Sequence, residues 1–107
     1  MTPAINAARK SKIEFEVHRY DHDPRSQSYG LEAAQALKLD PAVVFKTLMT
    51  ELEGGQLAVA IVPVALKLDL KALAAAGGTK KAAMADPARA AKATGYVMGG
   101  ISPLGQK

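Results

Sequence analysis

The stretch from Val43 to Val62 constrains the fold more than any other part of the chain. Val43-Val44-Phe45-Lys46-Thr47-Leu48-Met49-Thr50-Glu51-Leu52 has the composition of a strand, Glu53-Gly54-Gly55-Gln56 that of a tight turn, and Leu57-Ala58-Val59-Ala60-Ile61-Val62 that of a returning strand. The pair predicts an antiparallel hairpin. A Gly54-Gly55 two-residue loop, in which both central residues need positive φ, sets Leu52 opposite Leu57, Thr50 opposite Val59, Leu48 opposite Ile61 and Lys46 opposite Pro63. Side chains alternate along a strand, so in this register Lys46 shares a face with Val44, Leu48, Leu52, Val59 and Ile61, at the end far from the turn. An ammonium in that company either ends the strand and reaches water along its stem, or presents positive charge at the mouth of a pocket. Both readings stay open on the residues alone.

The chain has 107 residues, enough for one domain with a single modest core. It contains no cysteine, which excludes disulfides, thiolate metal sites and a cysteine nucleophile. No apolar run in it reaches membrane-spanning length, and the N-terminus lacks the pattern of a secretory leader, so a cytoplasmic protein with no membrane partner is expected. The net charge of +4 permits contact with phosphate backbones without requiring it. Two Phe, three Tyr and no Trp argue against an aromatic platform for single-stranded nucleic acid.

Helices and strands are interspersed. Pro3 to Ser11 reads as a helix with proline in its first turn, and Ile13 to Tyr20 alternates as a half-buried strand should. Ser28 is placed to cap a helix running to about Leu37, and Asp40-Pro41 to open a single helical turn. Asp69 caps a helix ending at Gly77-Gly78, and Asp86-Pro87 opens another that stops at Gly95. Lys80 to Met84 and Tyr96-Val97-Met98 read as short extended pieces. Abundant alanine in the second half is read as close helix packing. The class is α/β or α+β with a mixed sheet.

Chemistry-bearing constellations are few. His18-Arg19-Tyr20-Asp21-His22-Asp23 collects both histidines, but the stretch reads as a strand entering a turn, which does not bring them together, so no metal is expected. The serines sit in no nucleophile elbow, and neither a Walker loop nor a dinucleotide fingerprint occurs; no cofactor is expected. Gly99-Gly100-Ile101-Ser102-Pro103-Leu104-Gly105 offers main chain instead. Adjacent glycines admit a ligand close to the backbone, and successive amides can form an anion nest suited to an acyl-transfer oxyanion. An ordinary Gly/Pro turn is the alternative.

Taken together, Phe45-Lys46-Thr47-Leu48, Met84-Ala85-Asp86-Pro87, Thr94-Gly95-Tyr96 and Gly99 through Gln106 resemble the YbaK family of free-standing aminoacyl-tRNA editing domains. The Thr2-Pro3-Ala4 opening and Tyr20-Asp21-His22-Asp23 resemble its bacterial Cys-tRNA(Pro) deacylase branch. The resemblance covers residues 1–107 as a single domain. It implies a mixed, partly barrel-like sheet flanked by helices, similar to the editing insertion of prolyl-tRNA synthetases, and hydrolysis of the ester joining a wrong amino acid to tRNA. Such editing serves where one binding step cannot exclude a near-identical amino acid.

By the same resemblance Lys46 positions the terminal nucleotide or its phosphate. Tyr20, Tyr29 and Thr47 line the aminoacyl pocket beside Gly99, and Gly100, Ile101 and Ser102 face the scissile carbonyl. The implied chemistry is substrate-assisted, the substrate thiol attacking its own ester while the protein orients it. Aminoacylated proline tRNA and prolyl-tRNA synthetase are the implied partners. Family domains continue past the Gly-Gln motif, so the resemblance also implies a missing C-terminal part, an unpaired sheet edge open to a homo-oligomer, or a binding module without catalysis.

Overall fold

Two glycines with positive φ, 98° at Gly54 and 96° at Gly55, turn the chain near the middle of the sequence. The structure is a computed structural model that describes residues 2–25, 29–97 and 99–107. Gly55 N–H donates to the Leu52 carbonyl at 3.0 Å and Leu52 N–H to the Gln56 carbonyl at 2.8 Å. The loop is therefore Glu53-Gly54-Gly55, one residue longer than expected. Strand β1 (Phe45–Leu52) pairs with β2 (Leu57–Pro63) with Lys46 opposite Val62, Leu48 opposite Ala60 and Thr50 opposite Ala58. This corrects the register by one residue. Val59 and Ile61 change face, and Lys46 lies instead with Leu48, Thr50, Ala60 and Val62. A Gly-Gly pair satisfies either loop length, so packing decides. The observed register buries Thr50 completely, with its hydroxyl donating to the Ala58 carbonyl at 2.8 Å, and buries Ala60.

Strand β3 (Ala82–Met84) adds to the other edge of β1, antiparallel, with Thr50 opposite Met84 and Leu52 opposite Ala82. Among the described residues the sheet is three-stranded, ordered β2-β1-β3, antiparallel and open. The α+β class holds.

Capping explains where the helices begin. In α1 (Pro3–Lys10) the Thr2 hydroxyl accepts from Ile5 N–H at 3.2 Å and proline occupies the first turn. Helix α2 (Tyr29–Ala36) follows; the expected Ser28 cap lies outside the described residues. Asp40 accepts from Ala42 N–H at 2.9 Å and opens a 3-10 turn, Pro41–Val43. Asp69 and Asp86 each accept from the third residue beyond them, Ala72 and Arg89, both at 3.0 Å, opening α3 (Leu70–Ala76) and α4 (Pro87–Thr94). Each helix turns an alanine into the interior: Ala8, Ala34, Ala74 and Ala90 are all buried. With no branched side chain at those positions, backbones approach closely. Gly77 lies against Leu52, and any Cβ on Gly30 would collide with Val64.

Two expected strands are not formed among the described residues. Residues 13–23 form no ladder, and Ile13, Phe15 and Val17 stand exposed at 54%, 37% and 48%. Their alternation is real, but no strand among the described residues lies beside them, and alternation without a partner makes no strand. Tyr96 and Val97 are likewise irregular, and Met98 lies outside the described residues.

Candidate functional site

Strand β1 is paired on both sides for only half its length. Its even-numbered residues direct their amides and carbonyls toward β2, as the Leu52–Gln56 and Val44–Val64 bonds at its two ends establish. Its odd-numbered residues direct theirs to the opposite edge. There Glu53 N–H donates to the Lys81 carbonyl at 2.9 Å, Glu51 faces Ala83, and the Met49 carbonyl accepts from Ala85 N–H at 3.0 Å. Beyond Met49 that edge has no strand beside it among the described residues, leaving the main chain of Thr47 and Phe45 turned outward.

A cavity of about 520 Å³ occupies this position, within the range of small-molecule sites. Lys46, Thr47, Tyr20, Tyr29, Gly99 and Ile101 all line it. Lys46 is half-buried and among the described residues has no ion-pair partner. Its ammonium is thus available to an anion. The remaining wall is mainly apolar, including Phe45, Met49, Val64 and Met84, with Gly30 where α2 comes close. As wall residues these were not singled out from the sequence, although Phe45 and Met84 stand in the motifs that carry the family resemblance. A further local signal is Gly30, an unfavourable residue in a helix's first turn unless something packs against it.

The glycine loop is held in place by the end of α4. Gly95 adopts the left-handed conformation, φ 82°, that closes the helix. The buried Thr94 hydroxyl donates to the Ala90 carbonyl at 2.8 Å and accepts from Tyr96 N–H at 3.1 Å. Tyr96, itself buried, donates its hydroxyl to the Leu104 carbonyl at 2.7 Å, and Lys107 N–H donates to the Thr94 carbonyl at 3.1 Å. Thr94-Gly95-Tyr96 thereby fixes the loop against Met49, Ala85 and Ala90, which Ile101 contacts.

Two of the expected residues lie off the cavity wall. Gly100 N–H donates to the Val97 carbonyl at 3.1 Å. The Ser102 hydroxyl accepts from Leu104 N–H at 3.1 Å, and its carbonyl accepts from the Gln106 amide at 3.0 Å. Both are engaged within their own loop.

At the cavity mouth, the Tyr20 hydroxyl lies 3.5 Å from the Tyr29 carbonyl, and the Tyr29 ring packs on Gly99, where an added Cβ would sit 2.8 Å from it. The Tyr29 ring also carries the His22 ring, stacked at 4.6 Å between centroids and 22° between planes. His22 Nδ1 donates to Glu32 Oε1 at 2.6 Å, and Asp23 N–H to Glu32 Oε2 at 2.9 Å. The His22 hydrogen bond holds the Glu32 carboxyl below its ordinary value of 4.5. The Arg25 amide, then its side chain, does the same for Asp23. Within the described residues no group of three carboxylates or imidazoles converges as metal ligands would, and no helix is long and apolar enough to cross a membrane.

The fold is shared with known proteins. Residues 26–107 match the model of the aminoacyl-tRNA editing domain, and the chain belongs to that family. It is 40% identical over 106 residues to a protein of Enterococcus faecalis that carries the provisional name Cys-tRNA(Pro)/Cys-tRNA(Cys) deacylase EbsC. That match covers 99% of this chain and 64% of the relative. A crystal structure of a hypothetical protein, APE2540, superposes with a TM-score of 0.82 at 19% identity, over 99% of this chain and 68% of the other. A scaffold from work on computational grafting of linear epitopes gives 0.73 at 22% identity, over 98% and 64%. Both structural matches speak to the fold alone.

Proposed function

We propose that the chain hydrolyses misacylated tRNA in trans, with Cys-tRNA(Pro) as its substrate. The observation that carries this reading is the cavity at the open edge of β1, where an ammonium with no carboxylate partner among the described residues, a main-chain edge and two tyrosines face one space in a member of the editing family. Lys46 holds the phosphate or ribose of the terminal nucleotide. Tyr20, Tyr29 and Thr47 enclose the aminoacyl group.

The ester breaks by intramolecular attack. The cysteine sulfur forms a bond to its own carbonyl carbon, the bond to the ribose oxygen breaks and the thiol proton ends on that oxygen, which frees the tRNA and leaves cysteine as a cyclic thioester; water then adds to that carbonyl and the carbon–sulfur bond breaks, giving free cysteine. The protein supplies orientation and electrostatics, which suffice for large accelerations when the attacking atom is already within the substrate. The partners are then aminoacylated proline tRNA and prolyl-tRNA synthetase, in the cytoplasm, and the exposed sheet edge is available to a second copy.

A binding module without catalysis is the second reading, and one observation favours it: the Gly100 amide is committed to Val97 rather than free for an oxyanion. The two readings separate in one assay, hydrolysis of Cys-tRNA(Pro) by the purified chain with Pro-tRNA(Pro) as control. Selective loss of the cysteinyl ester supports the hydrolase. Binding of the tRNA with the ester persisting at its uncatalysed rate supports the module.

A further inference from the structure

His22 does not line the cavity, yet it closes a chain of contacts that ends there. Both oxygens of the Glu32 carboxylate are used on it and its neighbour, one by His22 Nδ1 at 2.6 Å and one by Asp23 N–H at 2.9 Å. This grip fixes the imidazole on α2, and it fixes the tautomer: the proton on Nδ1 is the one donated, whether the ring is neutral or charged. The ring so held is stacked on Tyr29, and the same Tyr29 ring meets Gly99 with no room for a methyl group. Tyr29 therefore has both an anchored imidazole and the glycine loop against it. A tyrosine ring at 44% exposure would otherwise be free to change rotamer and open the cavity wall.

We propose that His22 is a positioning residue for the aminoacyl pocket: held by Glu32 and stacked on Tyr29, it keeps that ring against Gly99 and so sets the width of the entrance. The proposal rests on the deacylase reading for its functional consequence and on geometry alone for its structural one. A fixed entrance admits a small side chain and excludes larger ones, so its loss relaxes selectivity more than it lowers turnover. Discrimination by fit alone is worth about 10- to 200-fold per methylene, which puts the expected loss of selectivity at roughly tenfold.

The experiment compares wild type, His22→Ala and His22→Phe in two readouts. The first is the nuclear Overhauser contact between the Tyr29 ring protons and the Gly99 α-protons, which needs no activity. It should be present in wild type, lost in His22→Ala and recovered in His22→Phe, which restores a stacking ring without the hydrogen bond. The second is the ratio of kcat/KM for Cys-tRNA(Pro) to that for the same tRNA carrying methionine. This ratio should fall roughly tenfold in His22→Ala, with kcat for cysteine nearly unchanged, and return in His22→Phe. A wild-type contact pattern and an unchanged ratio in His22→Ala overturn the proposal, as does a fall in melting temperature with both readouts intact, which makes His22 a purely structural tie. If wild type hydrolyses neither ester, the deacylase reading fails and the proposed effect on selectivity fails with it, while the Tyr29–Gly99 contact still decides the positioning claim.

Discussion

The two halves of β1 have similar composition and opposite surroundings. From Met49 to Leu52 the strand is paired on both edges, and three of its four residues are buried. The Arg89 guanidinium ties α4 to it, reaching the Glu51 carboxylate and, at 2.6 Å, the Gly55 carbonyl. From Phe45 to Leu48 the strand is paired on β2's side only, none of its residues is fully buried, and the cavity opens beside it. The difference teaches where function can reside. A saturated ladder has no donor or acceptor left for a ligand, whereas a half-paired one keeps main chain and side chains available while the saturated half holds them in place. On the proposed function, stability belongs to the turn end and recognition to the open end.

The largest way to break that division is at the core of the turn end. Met49→Ala removes the side chain against which Ala85, Ala90 and Ile101 pack, and should cost about 3 kcal/mol, read as a lowered melting temperature by circular dichroism. A drop this large from an open-end substitution such as Phe45→Ala would erase the contrast.

Next is Gly99→Ala. Gly99 has φ 89° and the Tyr29 ring against it, so strain of about 1 to 2 kcal/mol should appear with displacement of the ring. Both are visible together as a modest melting shift and a changed Tyr29 spectrum. Smaller again is Arg89→Ala. The pair it forms with Glu51 is half-exposed, and a double-mutant cycle with Glu51→Gln should return roughly 1 kcal/mol or less, without effect on tRNA hydrolysis.

The smallest effect is one of pH. The Glu32 carboxyl is held below its ordinary value chiefly by His22, so its contribution to stability is fully present above about pH 4.5 and is lost as pH falls through the lower folded value. The Tyr29 ring resonances should shift over that acid range in wild type and stop doing so in Glu32→Gln. A shift that persists in Glu32→Gln would assign the acid effect to Asp23, whose carboxyl Arg25 also holds low.

How much of this was legible in the sequence follows from the range of the interactions involved. Local rules carried the helix starts at Asp40, Asp69 and Asp86 and the stop at Gly95, because a cap is settled within three or four residues. The hairpin was legible and its register was not, since Gly54-Gly55 satisfies two loop lengths and the choice lies in the burial of Thr50 and Ala60. Residues 13–20 misled because alternation reports amphipathic character and says nothing of a partner strand.

In the site, Lys46 announced itself as a charge in an apolar strand, the Gly99-Gly100 pair as main chain open to a ligand, and Ile101 entered through family resemblance. Nothing local pointed to Glu32 as the residue that grips His22, or to His22 stacking on Tyr29. They meet because residues 22 and 23 pack back onto α2, a contact that no local pattern encodes.

The most direct test sets one substitution from each half of β1 side by side. Hydrolysis of Cys-tRNA(Pro) and thermal melting are measured for wild type, Lys46→Ala and Leu52→Ala, since Leu52 is buried against Gly77 and does not line the cavity. The account predicts that Lys46→Ala melts as wild type does and loses most of its turnover, whereas Leu52→Ala melts markedly lower and retains turnover at temperatures where it is folded. A folded Lys46→Ala that hydrolyses the ester at the wild-type rate would contradict the account, removing the open end of β1 from the chemistry.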